Sequence, residues 1–323
     1  MSLPDRILAG DRLALARLLT QLENEAPEGQ ETLGALYVHT GEAYRIGVTG
    51  APGTGKSTLV NQVARALRKQ PLPELAQVPR VAIIAVDPTS PFSGGAILGD
   101  RIRMRDLSGD DGIFIRSMAS RGSLGGLART TGSLALALDA AGFDIVLIET
   151  VGAGQAEVEV ASTAHTTVVI DAPGMGDEVQ ANKAGILEIA DILVVNKADL
   201  PGAENTIRVL EMALAYAKKP EASEAVVWSP PVLPTTATTG EGVPQLVDSI
   251  YQHYTHLKSS QLWEARERDQ ITSQLHAGLR QELFERFQER SEDGALETIV
   301  DQLLQRSVTP RQAIETLLGE HQE

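Results

Sequence analysis

The chain is acidic and contains no cysteine. Of its 323 residues 42% are hydrophobic, and 28 basic against 43 acidic side chains give a formal net charge of −15. This composition fits a globular protein of one large domain or two smaller ones. The lack of cysteine excludes disulfides, iron–sulfur clusters, thiolate zinc sites and cysteine nucleophiles. The acidity disfavours nucleic acid and anionic membranes as partners, because both bind positive surfaces.

The amino-terminal segment is unlike a secretory signal. Asp5 and Asp11 interrupt its apolar residues, so it has no continuous apolar core. No stretch approaches the roughly 18 apolar residues that cross a bilayer. We therefore expect a cytoplasmic location and no membrane partner.

The apolar spacing predicts a helix over residues 5–22 and a second short helix near Thr32–His39. From Tyr44 the chain alternates between short β-branched runs and helix-length connections. In order, the runs are RIGV, VAIIAV, IFI, DIVLIE, TTVVID, DILVVN and VVW. Seven such runs indicate a mostly parallel sheet that is covered by helices on both faces.

After about Lys258 the sequence is helical again. Apolar side chains recur every four residues in a strongly charged context, which predicts an amphipathic helix through Leu275, Leu279, Leu283 and Phe287. His253 and His256 have no further histidine and no acidic ligand near them in the sequence, and we interpret them as surface residues of a helix. We divide the chain into a helical extension (1–40), a sheet domain (41–258) and a helical arm (259–323).

The clearest motif is a glycine-rich loop between the first predicted strand and a helix. Residues 50–57, GAPGTGKS, match the pattern G-x-x-x-x-G-K-[ST]. Glycines let backbone N–H groups converge on phosphate oxygens, Lys56 reaches the β- and γ-phosphates, and the Ser57 hydroxyl binds Mg²⁺. The nucleotide-binding residues predicted here are Gly50, Ala51, Pro52, Gly53, Thr54, Gly55, Lys56, Ser57 and Thr58.

A second motif identifies the base. Asn196, Lys197 and Asp199 form N-K-x-D after a predicted strand, where open α/β sheets bind their ligands. The Asp199 carboxylate can accept both the N1–H and the 2-amino group of guanine, and adenine offers neither. Leaving that carboxylate unpaired would cost about 1–3 kcal/mol, which favours GTP over ATP. Thr236 and Ala237, after the last predicted strand, can place a backbone N–H on guanine O6.

Two carboxylates end predicted strands beside this loop. Asp87 follows VAIIAV, and Glu149 follows DIVLI, where GTPases more usually carry aspartate. A carboxylate in this place holds Mg²⁺ directly or through water, or orients the attacking water. The longer Glu149 side chain favours a water-mediated metal contact or a water-positioning role, and both stay open. The predicted metal ligands are Ser57, Asp87 and Glu149.

Further segments resemble the methylmalonyl-CoA mutase-associated GTPases, the MeaB family. They are VDPTSPFSGGAILGDRIRM, SRGSLGGLA, ETVGAGQAEVEV and PGMGDEVQANKAGILEIADILVVNKADL, and the similarity covers nearly the whole chain. The resemblance implies an α/β fold with a P-loop GTPase core, flanked by helical extensions at both ends. It also implies Mg²⁺-dependent hydrolysis of GTP to GDP, and a homodimer joined by the carboxyl-terminal arm.

The same resemblance implies a partner and residue roles. Members act as chaperones for an adenosylcobalamin (B12)-dependent acyl-CoA mutase, gating its cofactor loading and protecting or reactivating it. By matching motif, the catalytic residues are Lys56, Asp87, Asp100 and Glu149. A switch that signals to the mutase comprises Asp177, Gln180 and Lys183. This sequence has Asn182 where the family usually has isoleucine.

Three other functions are compatible with the phosphate loop. A metal-insertion GTPase chaperone normally carries its ion on cysteine or clustered histidine, and this chain has no cysteine and six dispersed histidines. A small-molecule kinase is disfavoured by the guanine motif and by the lack of an evident acceptor pocket. A binding module without hydrolysis is disfavoured by Lys56, Ser57, Asp87 and Glu149, which are all present.

Overall fold

The computed structural model describes residues 1–72, 77–87, 107, 109–119, 126–150, 161–174, 187–217, 228–290 and 294–319. The chain divides into two compact units, Met1–Ile271 and Thr272–Glu323. The first unit contains a seven-stranded sheet with the order β3-β2-β4-β1-β5-β6-β7. Every neighbouring pair is parallel, which confirms the predicted fold class. The strands are β1 (Tyr44–Gly50), β2 (Val81–Asp87), β3 (Ile113–Ala119), β4 (Ile145–Glu149), β5 (Thr166–Asp171), β6 (Ile192–Asn196) and β7 (Val232–Thr235).

Helices precede, connect and follow these strands. Those before the sheet are α1 (Leu3–Leu8), α2 (Arg12–Glu23) and α3 (Pro27–Leu36), with a 3₁₀ turn at Tyr37–His39. Those of the sheet region are α4 (Lys56–Leu67), α5 (Gly126–Ala140), α6 (Ala203–Ala217) and α7 (Val243–Ser259). Helix α8 (Leu262–Arg290) runs from the first unit into the second, which also contains α9 (Ala295–Leu304) and α10 (Pro310–Leu317).

The central strands are buried on both faces. In β4, Ile145 and Leu147 pack into one core with residues of α4 and α7, and Val146 and Ile148 pack into another with residues of α2, α3 and α5. Alternate residues of a strand point to opposite faces, so a continuous apolar run is needed when helices cover both. This explains why these runs show no polar alternation.

The amino-terminal helices are part of the first unit and are attached to the edge strand β3. The Arg12 guanidinium donates to the carbonyl oxygens of Asp111 and Ile113, at 3.0 and 2.6 Å. The prediction of one helix over residues 5–22 was wrong, because Gly10 adopts φ +84° and separates α1 from α2. The side chain of Asp11 then caps α2 by accepting from two backbone N–H groups.

The seventh strand lies later than predicted. Of the predicted run VVW, residues 226 and 227 lie outside the described residues, and Trp228 is not in a strand. The strand is β7, at the edge of the sheet, and it contains Pro234. Proline has no backbone N–H to donate to a neighbouring strand, so this sequence is tolerated at an edge of the sheet and gives a weak strand signal.

The surface placement predicted for His253 was wrong, because its side chain is fully buried. Its Nδ1 lies 2.7 Å from the Thr166 hydroxyl, and its Nε2 lies 3.3 Å from a carboxylate oxygen of Asp191. Arg266 of α8 donates to both oxygens of that carboxylate. These residues come from β5, from the position before β6 and from α8. Because they are far apart in the sequence, no local sequence pattern predicts the contacts.

A second buried polar group lies at the same amino-terminal edge of the sheet. The backbone N–H of Arg45 donates to His165 Nδ1 at 3.1 Å, which places the imidazole proton on Nε2, 3.0 Å from Glu267 Oε1. The Arg45 guanidinium also donates to Glu267 and to Gln270. The first turns of α8 therefore contact the starts of β1 and β5 through hydrogen-bonded polar side chains.

These histidines predict an acid-sensitive fold. Burial is the main cause that lowers the pKa of His165 to about 3 and that of His253 to about 4, from the usual 6.5. At pH values between the lowered pKa of the folded chain and 6.5, the unfolded chain binds protons that the folded chain does not. The free energy of unfolding therefore falls as the pH falls through this range. We expect each histidine to remove about 2 kcal/mol between pH 7 and pH 5.

Urea unfolding at several pH values measures this loss. His253→Gln should reduce the slope of stability against pH, and His276→Gln, at an exposed position of α8, should leave it unchanged. An unchanged slope in His253→Gln would contradict the assignment.

The second unit shows the predicted apolar stripe in exposed positions. Leu275, Leu279 and Leu283 are 66%, 52% and 58% exposed along α8. At the start of α10, Thr309 forms a capping box with Gln312 ahead of Pro310. In the described part of the chain, no helix is both long enough and apolar enough to cross a membrane.

Candidate active site

The phosphate loop joins β1 to α4 at the carboxyl end of the sheet. Gly50 has φ +143°, and a Cβ there would lie 2.1 Å from the carbonyl oxygen of Ile170 on β5. Gly53 and Gly55 also have positive φ, at +82° and +91°. These backbone angles disfavour side chains, so the glycines are required by the conformation of the loop as well as by its approach to a ligand.

Lys56 is the first residue of α4 and is buried. Its ammonium group donates to the carbonyl oxygens of Gly50 at 2.8 Å and of Ala51 at 3.1 Å. The cation therefore lies within the loop, next to the helix amino terminus whose partial positive charge attracts phosphate.

Ser57 and Glu149 meet beside the loop. The Ser57 hydroxyl donates to Glu149 Oε1 at 2.6 Å, and both residues are buried. Glu149 ends β4, where it pairs with Val48 of β1 and Ala85 of β2. A hydroxyl and a carboxylate are hard oxygen donors of the kind that Mg²⁺ prefers, so the residues present fit this ion.

The remaining predicted acidic and switch residues are only partly described. Asp87 is the last residue of β2, a strand adjacent to β4, and its side chain is not described. Asp100, Asp177, Gln180 and Lys183 lie outside the described residues.

Asn196 connects the predicted base site to the phosphate loop. From the end of β6 its Nδ2 donates to the Thr54 carbonyl at 2.7 Å, and its Oδ1 accepts from the Ala237 N–H at 3.0 Å and from the Thr235 hydroxyl at 3.1 Å. A Cβ at Gly55 would lie 2.5 Å from that Nδ2. The motif residue is therefore a buried bridge between three loops.

Lys197 adds a second link, since its ammonium donates to the Gly53 carbonyl at 2.7 Å and its backbone has φ +58°. Asp199, two residues on, faces a cavity of about 400 Å³ at the ends of β6 and β7, within the size range of small-molecule pockets. The cavity is lined by Ala198, Asp199, Leu233, Pro234, Thr235, Thr236, Glu241, Gly242 and Gln245.

The backbone N–H groups of the loop after β7 form hydrogen bonds within the protein, which the sequence did not predict. The Ala237 N–H donates to Asn196, and the Thr236 N–H donates to the Glu241 carbonyl at 2.9 Å. Both N–H groups considered for guanine O6 thus have protein acceptors in this structure. Sequence reasoning missed Glu241 and Gln245 as cavity residues, although the paired glycines at 240 and 242 signal the tight turn that brings them there.

A parallel sheet with a phosphate loop after its β1 strand and an N-K-x-D loop after β6 defines a P-loop GTPase. The sequence model of the family described as "Methylmalonyl Co-A mutase-associated GTPase MeaB" matches residues 15–292. The chain belongs to this family, and it is a GTPase.

Individual relatives also match most of the chain. A Pyrococcus abyssi protein, whose name assigns it to the GTPases only provisionally, is 42% identical over 98% of this chain and 95% of its own. GTPase ArgK of Escherichia coli is 36% identical over 82% and 80%. The mitochondrial methylmalonic aciduria type A homolog of Caenorhabditis elegans is 30% identical over 97% and 80%. A crystal structure described as LAO/AO transport system kinase has 26% identity and a TM-score of 0.74, covering 98% of this chain and 95% of that one.

Proposed function

We propose that this GTPase is a chaperone for an adenosylcobalamin-dependent acyl-CoA mutase, methylmalonyl-CoA mutase or a relative. The observation that carries the proposal is the family match over residues 15–292, a family described by its association with that mutase. In this function, GTP hydrolysis gates the loading of the cofactor and protects or reactivates the mutase.

Each site residue has its own role in hydrolysis in this proposal. Lys56 neutralises the β- and γ-phosphates, and Ser57 with Glu149 and Asp87 would hold Mg²⁺, which offsets negative charge on the phosphates when bound. Glu149 also orients the attacking water in this proposal. Asn196, Lys197 and Asp199 select guanine. No arginine is assigned to the transition state, so we expect slow intrinsic turnover that the partner accelerates.

Hydrolysis measured with and without a purified B12-dependent mutase tests the proposal. We expect hydrolysis of GTP and not of ATP, and a higher rate with the mutase. Lys183→Ala should reduce the stimulated rate and leave the intrinsic rate unchanged, whereas a stimulation that survives in this variant would remove Lys183 from the switch. A rate that the mutase does not change would contradict the chaperone function.

A small-molecule kinase is the second candidate, because one related structure carries a kinase name. Transfer of the γ-phosphate from labelled GTP to a small acceptor, instead of release as inorganic phosphate, would favour it. Hydrolysis measured with a metal ion or with a mutase distinguishes a metal-insertion chaperone from a mutase chaperone. The hydrolysis rate of a metal-insertion chaperone should respond to its metal cargo and not to a mutase.

We also propose that the helical arm joins two copies of the chain. Leu275, Leu279 and Leu283 lie at four-residue spacing and are exposed, and burying them would remove apolar area from water. Leu279→Glu is expected to shift the protein to monomer in sedimentation velocity, and Gln281→Glu, at an exposed polar position of the same helix, should not. A Leu279→Glu variant that sediments like the unmodified chain would refute this interface.

A further inference from the structure

The cavity beside Asp199 has a second polar wall that the N-K-x-D motif does not explain. Glu241, from the turn before α7, and Gln245, from the first turn of α7, line it together with Asp199. We propose that Glu241 is a further specificity-determining residue, whose carboxylate accepts a hydrogen bond from the 2-amino group of guanine. The inference rests on the base site proposed at Asp199.

The turn that carries Glu241 is closed by its own hydrogen bonds. Thr236 pairs with Glu241 in an antiparallel bridge, in which the Thr236 N–H donates to the Glu241 carbonyl at 2.9 Å. The N–H groups of Thr239 and Gly240 donate to the Thr236 carbonyl at 3.1 and 2.9 Å. The main chain of Glu241 is therefore fixed relative to Thr236, on the cavity wall.

Gly242 holds this turn against the edge strand. It has φ +77°, and a Cβ there would lie 2.2 Å from the Pro234 carbonyl oxygen. No side chain fits this approach without displacing the backbone of β7. The residue before it, Glu241, is thus held close to the end of β7, where the cavity opens.

The chemistry of the cavity suits hydrogen-bond donors. Among the described residues that line it, the charged side chains are the carboxylates of Asp199 and Glu241, which repel anions and attract N–H groups. Guanine presents three N–H donors on one edge, one at N1 and two on the 2-amino group. A single carboxylate with two oxygens accepts the first two, which leaves the second amino hydrogen. A donor left without a partner on binding costs affinity, and Glu241 supplies the additional acceptor.

Comparison of GTP with ITP tests the contact, because ITP lacks only the 2-amino group. Glu241→Ala is expected to weaken GTP binding by the full chain about tenfold and ITP binding less than about twofold, the loss expected for one hydrogen bond to a charged group. Asp248→Ala, at an exposed position of α7, is the matched control and should change neither affinity. Equal losses for both nucleotides, no loss for GTP, or a GTP-selective loss in Gln245→Ala instead would overturn the assignment.

A parallel variant separates this inference from the base site itself. Asp199→Asn is expected to weaken GTP binding strongly, because an amide has one acceptor oxygen and cannot accept from both the N1–H and the 2-amino group. If Asp199→Asn leaves the GTP affinity unchanged, the proposed base site is wrong. If it weakens GTP binding while Glu241→Ala acts equally on GTP and ITP, only the role of Glu241 fails.

Discussion

Replacement of Lys56 by alanine is expected to lower the rate of GTP hydrolysis by about 10²- to 10³-fold or more, to near background. The ammonium group lies within the phosphate loop, 2.8 Å from the Gly50 carbonyl and 3.1 Å from that of Ala51. From there it can reach the β- and γ-phosphates and neutralise charge that develops as the γ-phosphoryl group leaves. A neutral methyl group at this position removes that compensation.

Release of phosphate under single-turnover conditions at saturating GTP measures this effect apart from binding. Lys69→Ala provides the control, because Lys69 is an exposed lysine just beyond the end of the same helix. A Lys56→Ala rate within a few-fold of the unmodified enzyme would mean that the catalytic site lies elsewhere.

Replacement of Asn196 by alanine should damage both nucleotide binding and the fold. The side chain is buried, and its loss leaves the Thr54 carbonyl, the Ala237 N–H and the Thr235 hydroxyl without their partner. Each buried group left unsatisfied costs about 1–3 kcal/mol, so we expect about 3 kcal/mol or more in total. Because the bridge also aligns the base and phosphate loops, GTP affinity should fall more than about tenfold.

Urea unfolding without nucleotide and GTP titration of the folded protein separate the two effects. Asn205→Ala changes the same residue type at an exposed position of α6 and should alter neither quantity. Normal stability combined with normal GTP affinity in Asn196→Ala would show that the bridge is dispensable.

The sequence predicted best where chemistry is encoded in consecutive residues. The phosphate loop requires glycines, a lysine and a hydroxyl at fixed spacing, and the strand before it and the helix after it have strong local patterns. The sheet was predictable for a related reason, since strands buried on both faces must be apolar throughout. The exception is β7, whose edge position tolerates Pro234 and weakens the pattern.

The polar contacts at the opposite edge of the sheet were not predictable. His253 is separated by many residues from Thr166 and Asp191, and α8 supplies Arg266 from yet another part of the chain. In sequence such a histidine is indistinguishable from one on a helix surface. Only the packing of α7 and α8 against the starts of β5 and β6 excludes water from it and gives it partners.

The sequence by itself determined the fold class, the phosphate loop and the choice of guanine, because each depends on residue types at short, fixed spacing. The tertiary structure decided which groups meet across loops: the contact of Ser57 with Glu149, the bridge through Asn196, and the cavity shared by Asp199 and Glu241. The physical reason is that hydrogen bonds and burial depend on distance in space, and the parallel sheet brings the ends of separate strands to one edge.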